Sequence, residues 1–251
     1  MRRVKITLAY DGTDYHGWQV QPGLATIQGA LEDVAAEIEG HPVKVEGSGR
    51  TDAGVHALEQ VAAFSIENPI PLANLKKAMN RLLPPAIRVL ATSEAPPDFH
   101  PRFQARSKTY EYRIYRGETC PPFERLHTYH YPYPLHVQRM AELAPLFEGE
   151  HDFSAFAASD EKDSLGGSKV RTVFFSRIAL EQERLTFRVR GSGFLKHMVR
   201  NLAGTLVEAG KGNLDAAGIQ AYFDARRHEK AGPTLPSRGL FLVSVEYQPR
   251  S

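Results

Sequence analysis

Apolar and polar residues alternate at period two through Val4–Tyr10, which predicts a strand with one buried face. From Thr26 the spacing becomes helical: Ile27, Leu31, Val34, Ala35 and Ile38 share one face, and Thr26 is placed to cap the N-terminus. A short strand, Val43–Glu46, runs into a Gly-Ser-Gly turn. It is followed by a strand over Leu58–Ile66, a helix over Leu72–Leu83 closed by Pro84-Pro85, and a strand over Ile87–Ser93. After Pro96-Pro97 a second set begins with a strand over Thr109–Tyr115 and a helix over Leu135–Phe147. Val170–Leu180 and Arg184–Arg190 read as a hairpin, Phe194–Ala209 and Leu214–Asp224 as helices, and Gly239–Tyr247 as a last strand.

Both halves mix strands and helices in an order that suits helices on one face of a mostly antiparallel sheet, an α+β class. The expected architecture is two ferredoxin-like α/β halves with their sheets side by side, residues 1–105 and 106–251. Gly-Ser-Gly at 47–49 and again at 191–193 is a faint echo between them. The segment Ala157–Lys169 is polar and rich in small residues and reads as a mobile loop, of a length that is often functional.

Composition narrows the class. With 42% hydrophobic and 24% charged residues in 251, the chain is globular and neither disordered nor collagen-like. One cysteine, Cys120, excludes an intrachain disulfide and a cysteine-based zinc cluster and fits a reducing cytosol. No run of about 18 apolar residues is present, so a soluble, cytoplasmic protein is expected, neither secreted nor membrane-spanning.

The net charge of +2 conceals an asymmetry: 10 Lys/Arg against 12 Asp/Glu in 1–105, and 21 against 17 in 106–251. Arg184–Arg200 carries five basic residues and no acid, and within it Arg184, Arg188 and Arg190 alternate with Leu185, Phe187 and Val189. That pattern makes either an ordinary solvated strand face or a cationic face for phosphates. A second stretch, Phe99-His-Pro-Arg-Phe-Gln-Ala-Arg-Ser-Lys-Thr-Tyr110, interleaves basic and aromatic residues without an acid. Arg106 within it is a candidate RNA contact, and such a stretch suits phosphates and exposed bases.

The chemistry concentrates in Glu46-Gly-Ser-Gly-Arg-Thr-Asp-Ala-Gly-Val-His56, where glycines surround Arg50 and Asp52 just after a strand. The loop could cradle a phosphate, present a nucleophilic carboxylate beside a guanidinium, or be a turn with a surface ion pair. It lacks the spacing of a nucleotide-binding glycine loop. His127 and His130 have no acid at ligand spacing, so no metal is expected, and no nucleophile elbow supports a serine triad. His56, His136 and His197 read as packing or hydrogen-bonding residues.

Seven ordered blocks resemble the bacterial tRNA pseudouridine synthase A family. They are Ala9–Gln19, Thr26–Glu32, Gly47–Ala57, Phe99–Tyr112, His151–Phe156, Phe194–Asn201 and Gly239–Leu242, and they span nearly the whole chain. The resemblance implies a pseudouridine synthase fold and a cofactor-free homodimer that isomerises uridines 38, 39 and 40 in the anticodon arm of tRNA. It also implies residue roles. Asp52 is the catalytic aspartate, Arg50 helps extrude the target nucleotide, and Arg200 pairs with Asp52. Tyr110 stacks on the flipped uracil and is a candidate base for the C5 proton, while Leu240 packs against the base. Arg188, Arg190 and Arg106 are the expected further substrate contacts. The partners implied are tRNA and a second copy, with neither membrane nor small-molecule cofactor.

Such chemistry accounts for the residue types. The target base must leave its stack. The departing uracil stays bound as the next nucleophile, so one carboxylate suffices where a glycosidase needs two. An apolar, aromatic pocket keeps water from trapping the sugar. The chain departs from the family pattern at Ala157, where a basic residue is usual, and Asp160, Glu161 and Asp163 follow; Lys162 or Lys169 are candidate replacements. Two alternatives remain at this stage: a tRNA-binding or chaperone module, and an isomerase acting on other RNA uridines.

Overall fold

The computed structural model describes residues 1–158, 167–224 and 230–247. The chain divides into two compact units, Met1–Arg106 with Phe241–Ser251, and Ser107–Leu240. Asp160, Glu161, Lys162 and Asp163 lie outside the described residues, while Ala157 is buried.

In the first unit β1 (Arg2–Tyr10) is followed by α1 (Ile27–Glu39), β2 (Glu46–Gly47), β3 (His56–Ile66), α2 (Leu72–Leu82) and β4 (Ile87–Ala95). Strand β1 lies between β3 and β4, antiparallel to both. Its alternation is realised as Val4, Ile6, Leu8 and Tyr10 on the buried face, with Ile27, Leu31, Val34 and Ala35 of α1 and Leu75 and Met79 of α2 also in the core. Thr26 caps α1 as its sequence position implies, accepting from Gly29 N–H at 3.2 Å. The strand expected over Val43–Glu46 is shorter: only Glu46 and Gly47 pair with β3, opposite Ala63 and Ala62. A register shift between Leu8 and Tyr10 inserts one extra residue of β3 beside its N-terminal end. Gln60, opposite Leu8, therefore lies among core residues and is fully buried.

The second unit takes over β5 (Ala105–Tyr115) at Ser107 and adds β6 (Tyr129–His130), α3 (Val137–Leu143), β7 (Gly149–Asp152), β8 (Val170–Glu181), β9 (Arg184–Gly191), α4 (Met198–Gly210) and α5 (Ala216–Ala221). Its strands run β5-β9-β8-β7, each antiparallel to the next. The expected hairpin is present, turning at Gln182 and Glu183 with Gln182 at φ 56°. Three expected helices are shorter than their apolar patterns. His197 has φ 59°, a left-handed conformation that a right-handed helix excludes, so α4 starts at Met198 and not at Phe194. Pro145 has no amide proton to continue α3, and Ala144–Phe147 forms a 3-10 turn. Asp215 caps α5 through Gly218 N–H at 2.8 Å. Helix α4 is buried almost all round. A Cβ on its Gly204 would fall 1.8 Å from Pro233 O, so glycine is what lets the following segment cross the helix closely.

The last strand, β10 (Leu240–Tyr247), returns to the first unit from Phe241 onward. Phe241 and Leu242 pair in parallel with His56 and Ala57 of β3. Counting residues 106–251 as the second half assigned this strand to the other unit. A parallel partner about 185 residues away leaves no local pattern to read. The architecture is mixed α+β with mostly antiparallel strands, as the pattern predicts. Among the described residues no helix is long and apolar enough to cross a membrane.

Candidate active site

Asp52 lies in the loop between β2 and β3, and the loop is fastened on its inner side. Ser48 is fully buried; its N–H donates to Val61 O at 2.8 Å and its hydroxyl to the Gln60 side-chain oxygen. The Gln60 amide donates to Gly49 O at 3.2 Å and to the Tyr10 hydroxyl at 3.4 Å. Tyr10 in turn lies 2.9 Å from the hydroxyl of Thr51, which is also buried. Burial pushes the Tyr10 phenol up to about 12, against the opposing effect of these hydrogen bonds, so it stays protonated near neutral pH. With Ser48 and Thr51 turned inward, Arg50 is exposed and Asp52 half-buried.

The loop is also seamed to the segment after β1. Trp18 N–H donates to Thr51 O at 3.0 Å, and Gly54 N–H to Tyr15 O at 3.2 Å. A Cβ on Gly12 would lie 2.0 Å from Val55 O, an approach open only to glycine. His56 closes the loop: Gly12 N–H donates to its Nδ1 at 3.1 Å, the Asp11 carboxylate lies 3.1 Å from the same nitrogen, and its ring stacks on Phe241 at 4.6 Å.

In the second unit Tyr110 is buried on β5, its ring edge-on to Phe194 at 5.1 Å. Tyr112 follows on the same face, and its hydroxyl donates to Pro236 O at 2.7 Å. Burial holds its phenol well above the usual range, while the Arg200 guanidinium pulls the other way. Arg200, in the first turn of α4, donates from Nε to Leu235 O at 2.6 Å. Leu240 is buried, and a Cβ on the preceding Gly239 would lie 2.8 Å from Arg113 O and 2.9 Å from the Tyr112 ring.

The arginines of β9 stand elsewhere. Tyr110 is opposite Val189, whereas Arg190 is opposite Thr109 and Arg188 opposite Glu111, so both arginines are on the sheet face away from Tyr110. That face also carries acids supplied by other segments. Arg113 Nε lies 2.8 Å and Arg188 Nε 4.0 Å from the Glu111 carboxylate, Arg184 pairs with Glu124, and Arg177 with Glu148. Arg106 is exposed at the start of β5. Asp52, Arg50 and Arg106 are thus in the first unit, and Tyr110, Arg188, Arg190, Arg200 and Leu240 in the second.

A family model described as tRNA pseudouridine synthase matches residues 6–104 and 143–248. The chain belongs to that family. The tRNA pseudouridine synthase A of Solibacter usitatus is 63% identical over 248 residues, covering 98% of this chain and 100% of the relative. Those of Caldicellulosiruptor bescii and Lacticaseibacillus casei are 40% and 43% identical, each covering 98% of this chain and 100% of the relative. Among solved structures, an archaeal box H/ACA sRNP Nop10-Cbf5 complex aligns with 82% of this chain and 43% of its own at 14% identity and a TM-score of 0.33, too low to carry weight.

Membership in the synthase family leaves two features that the motifs alone did not single out. One is the Ser48–Gln60–Tyr10–Thr51 network. A polar Gln60 immediately before the apolar run Val61-Ala-Ala-Phe64 was its only signal. The other is the contact of Phe194 with Tyr110, at a position that the apolar pattern gives to the start of a helix.

Proposed function

We propose that this chain converts uridine to pseudouridine in the anticodon stem-loop of tRNA, at positions 38, 39 and 40, as a homodimer in the cytoplasm. The target nucleotide leaves its stack at a cost of a few kcal/mol, with Arg50, exposed on its loop, taking the vacated space. Asp52 acts at the sugar while the C1′–N1 bond breaks. The uracil turns, C1′–C5 forms, the proton on C5 is lost and N1 regains one. The net change is an isomerisation, so no oxidant, reductant or co-substrate enters. Tyr110 supplies the aromatic surface for the base and is the candidate base for the C5 proton. Arg200 is assigned the charge partner of Asp52, and Leu240 the apolar wall. Arg188, Arg190 and Arg106 are assigned to phosphates.

The observation that carries this reading is the presentation of Asp52: a half-buried aspartate on a loop whose neighbours Ser48 and Thr51 are buried and hydrogen-bonded. A surface ion pair needs no such fastening, whereas a reacting carboxylate must be held to a fraction of an ångström. Unmodified tRNA tritiated at C5 tests it. The wild type releases tritium without added cofactor, and Asp52→Asn binds tRNA but loses release by at least ~10³-fold. Appreciable release by that variant overturns the assignment. Mapping the modified positions decides between the anticodon arm and other uridines.

A further inference from the structure

We infer that Phe103, with Arg102 and His100 beside it, is a stacking platform for an unpaired base of the substrate RNA. The inference rests on the reading of the substrate as tRNA and assigns a residue that the motifs leave without a role. Phe103 is 77% exposed. Exposure of one phenylalanine is common and says little; its mounting says more.

The turn that presents it is anchored at both ends. Phe99 is buried against Val61 and Ala63, and its ring lies 5.3 Å from that of Tyr247. The Phe99 carbonyl accepts from Arg3 Nε at 3.1 Å, and the Pro101 carbonyl from the Tyr247 hydroxyl at 2.7 Å. Within the turn Gln104 N–H donates to His100 O at 3.2 Å, and the Gln104 amide to Asp98 O at 3.2 Å. Arg102 N–H donates to His100 Nδ1 at 3.1 Å, which sets the imidazole beside Phe103, ring centres 4.2 Å apart. The Arg102 guanidinium lies 5.9 Å from the Phe103 ring centre. An aromatic ring is therefore held in place by a well-bonded turn, with most of its surface in water. Little conformational entropy remains to be lost when a flat partner stacks on it.

Charge selects the partner. Arg102 and Arg106 are exposed, and the turn carries a single acid, the exposed Asp98. A π-face with a guanidinium beside it and cations in excess suits a base joined to phosphates. Phe123 is the contrast: it is 94% exposed but adjoins Glu124, which is paired with Arg184.

The test compares Phe103→Ala, Phe103→Leu and Phe103→Trp, with Phe123→Ala as control, by single-turnover tritium release and by binding of an unmodified anticodon stem-loop. Phe103→Ala and Phe103→Leu are expected to weaken binding roughly tenfold, a stacking-sized effect, and to leave the saturated rate within about twofold. Phe103→Trp restores affinity, and its added fluorescence is quenched by the stem-loop. Equal affinity of the leucine variant and the wild type overturns the platform, as does an equal loss in Phe123→Ala. A changed sedimentation coefficient in Phe103→Ala without RNA also overturns it, because the ring then serves contact between copies. A wild type that releases no tritium refutes the proposed function itself, whereas an active wild type with an unaffected Phe103→Ala refutes only the platform.

Discussion

The loop carrying Asp52 and the outer face of β9 are both dense in polar side chains, yet the fold holds them by opposite means. Around the loop Ser48, Thr51, Gln60 and Tyr10 are buried and bonded to one another. On β9 Arg184 and Arg188 are exposed and face carboxylates from elsewhere in the second unit, Glu124 and Glu111. A buried group that loses its partner costs about 1–3 kcal/mol, whereas an exposed ion pair contributes about 0–1 kcal/mol. The first arrangement can therefore keep a reacting carboxylate in place. The second can exchange a carboxylate for a phosphate at little cost, which is what a surface gripping RNA has to do.

The strongest way to break this contrast is Gly12→Ala. The new Cβ would overlap Val55 O at 2.0 Å, so the backbone beside the Asp52 loop has to move. Loss of about 3 kcal/mol in urea unfolding is expected, with a larger proportional loss of tritium release than of tRNA affinity. A stable, fully active variant would show that the loop is not tightly held. Alkaline unfolding is nearly as sharp. The folded Tyr10 pKa is raised to about 12 from an ordinary 10.0, so the folded state holds this proton more firmly. The associated stability is complete below pH 10 and is lost as pH rises toward 12, about 3 kcal/mol in all. Tyr10→Phe has no such proton to lose, and the difference between its pH profile and that of the wild type isolates the residue from Tyr112 and Tyr247. Parallel profiles would refute the buried phenol.

Local regularities of the chain were legible without the fold. The alternation in β1, the apolar stripe and Thr26 cap of α1 and the β8–β9 hairpin are all found where the pattern places them. What depended on distant chain was not. The pairing of β10 with His56 and Ala57 is parallel and far in sequence, and the left-handed His197 cuts α4 short without a glycine to signal it. The site divides in the same way. Asp52 and Arg50 were visible as charged residues among glycines, whereas the hydrogen bonds that fasten their loop reach back to Tyr10 and forward to Gln60. The run of basic residues in Arg184–Arg190 looked uncompensated because Glu111 and Glu124 are brought in by other segments.

That last point yields the smallest and most discriminating expectations. Arg188→Ala with Arg190→Ala should weaken tRNA binding about tenfold and lower the salt slope by about 1 for each phosphate contact removed, with unfolding nearly unchanged. Unaltered affinity and slope would remove both residues from the RNA surface and leave the face of β9 away from Tyr110 as a solvated one. Arg184→Ala should do less. Its side chain is 66% exposed and already paired with Glu124, so stability should shift by no more than about 0.5 kcal/mol. Because that pair already occupies the charge, tRNA affinity should fall by less than about threefold in the same assay. A tenfold loss from Arg184→Ala would mean that Glu124 yields this arginine to RNA as readily as Glu111 yields Arg188. The exposed face would then bind as one cationic surface, with its ion pairs serving only to hold the arginines soluble and ready while no RNA is bound.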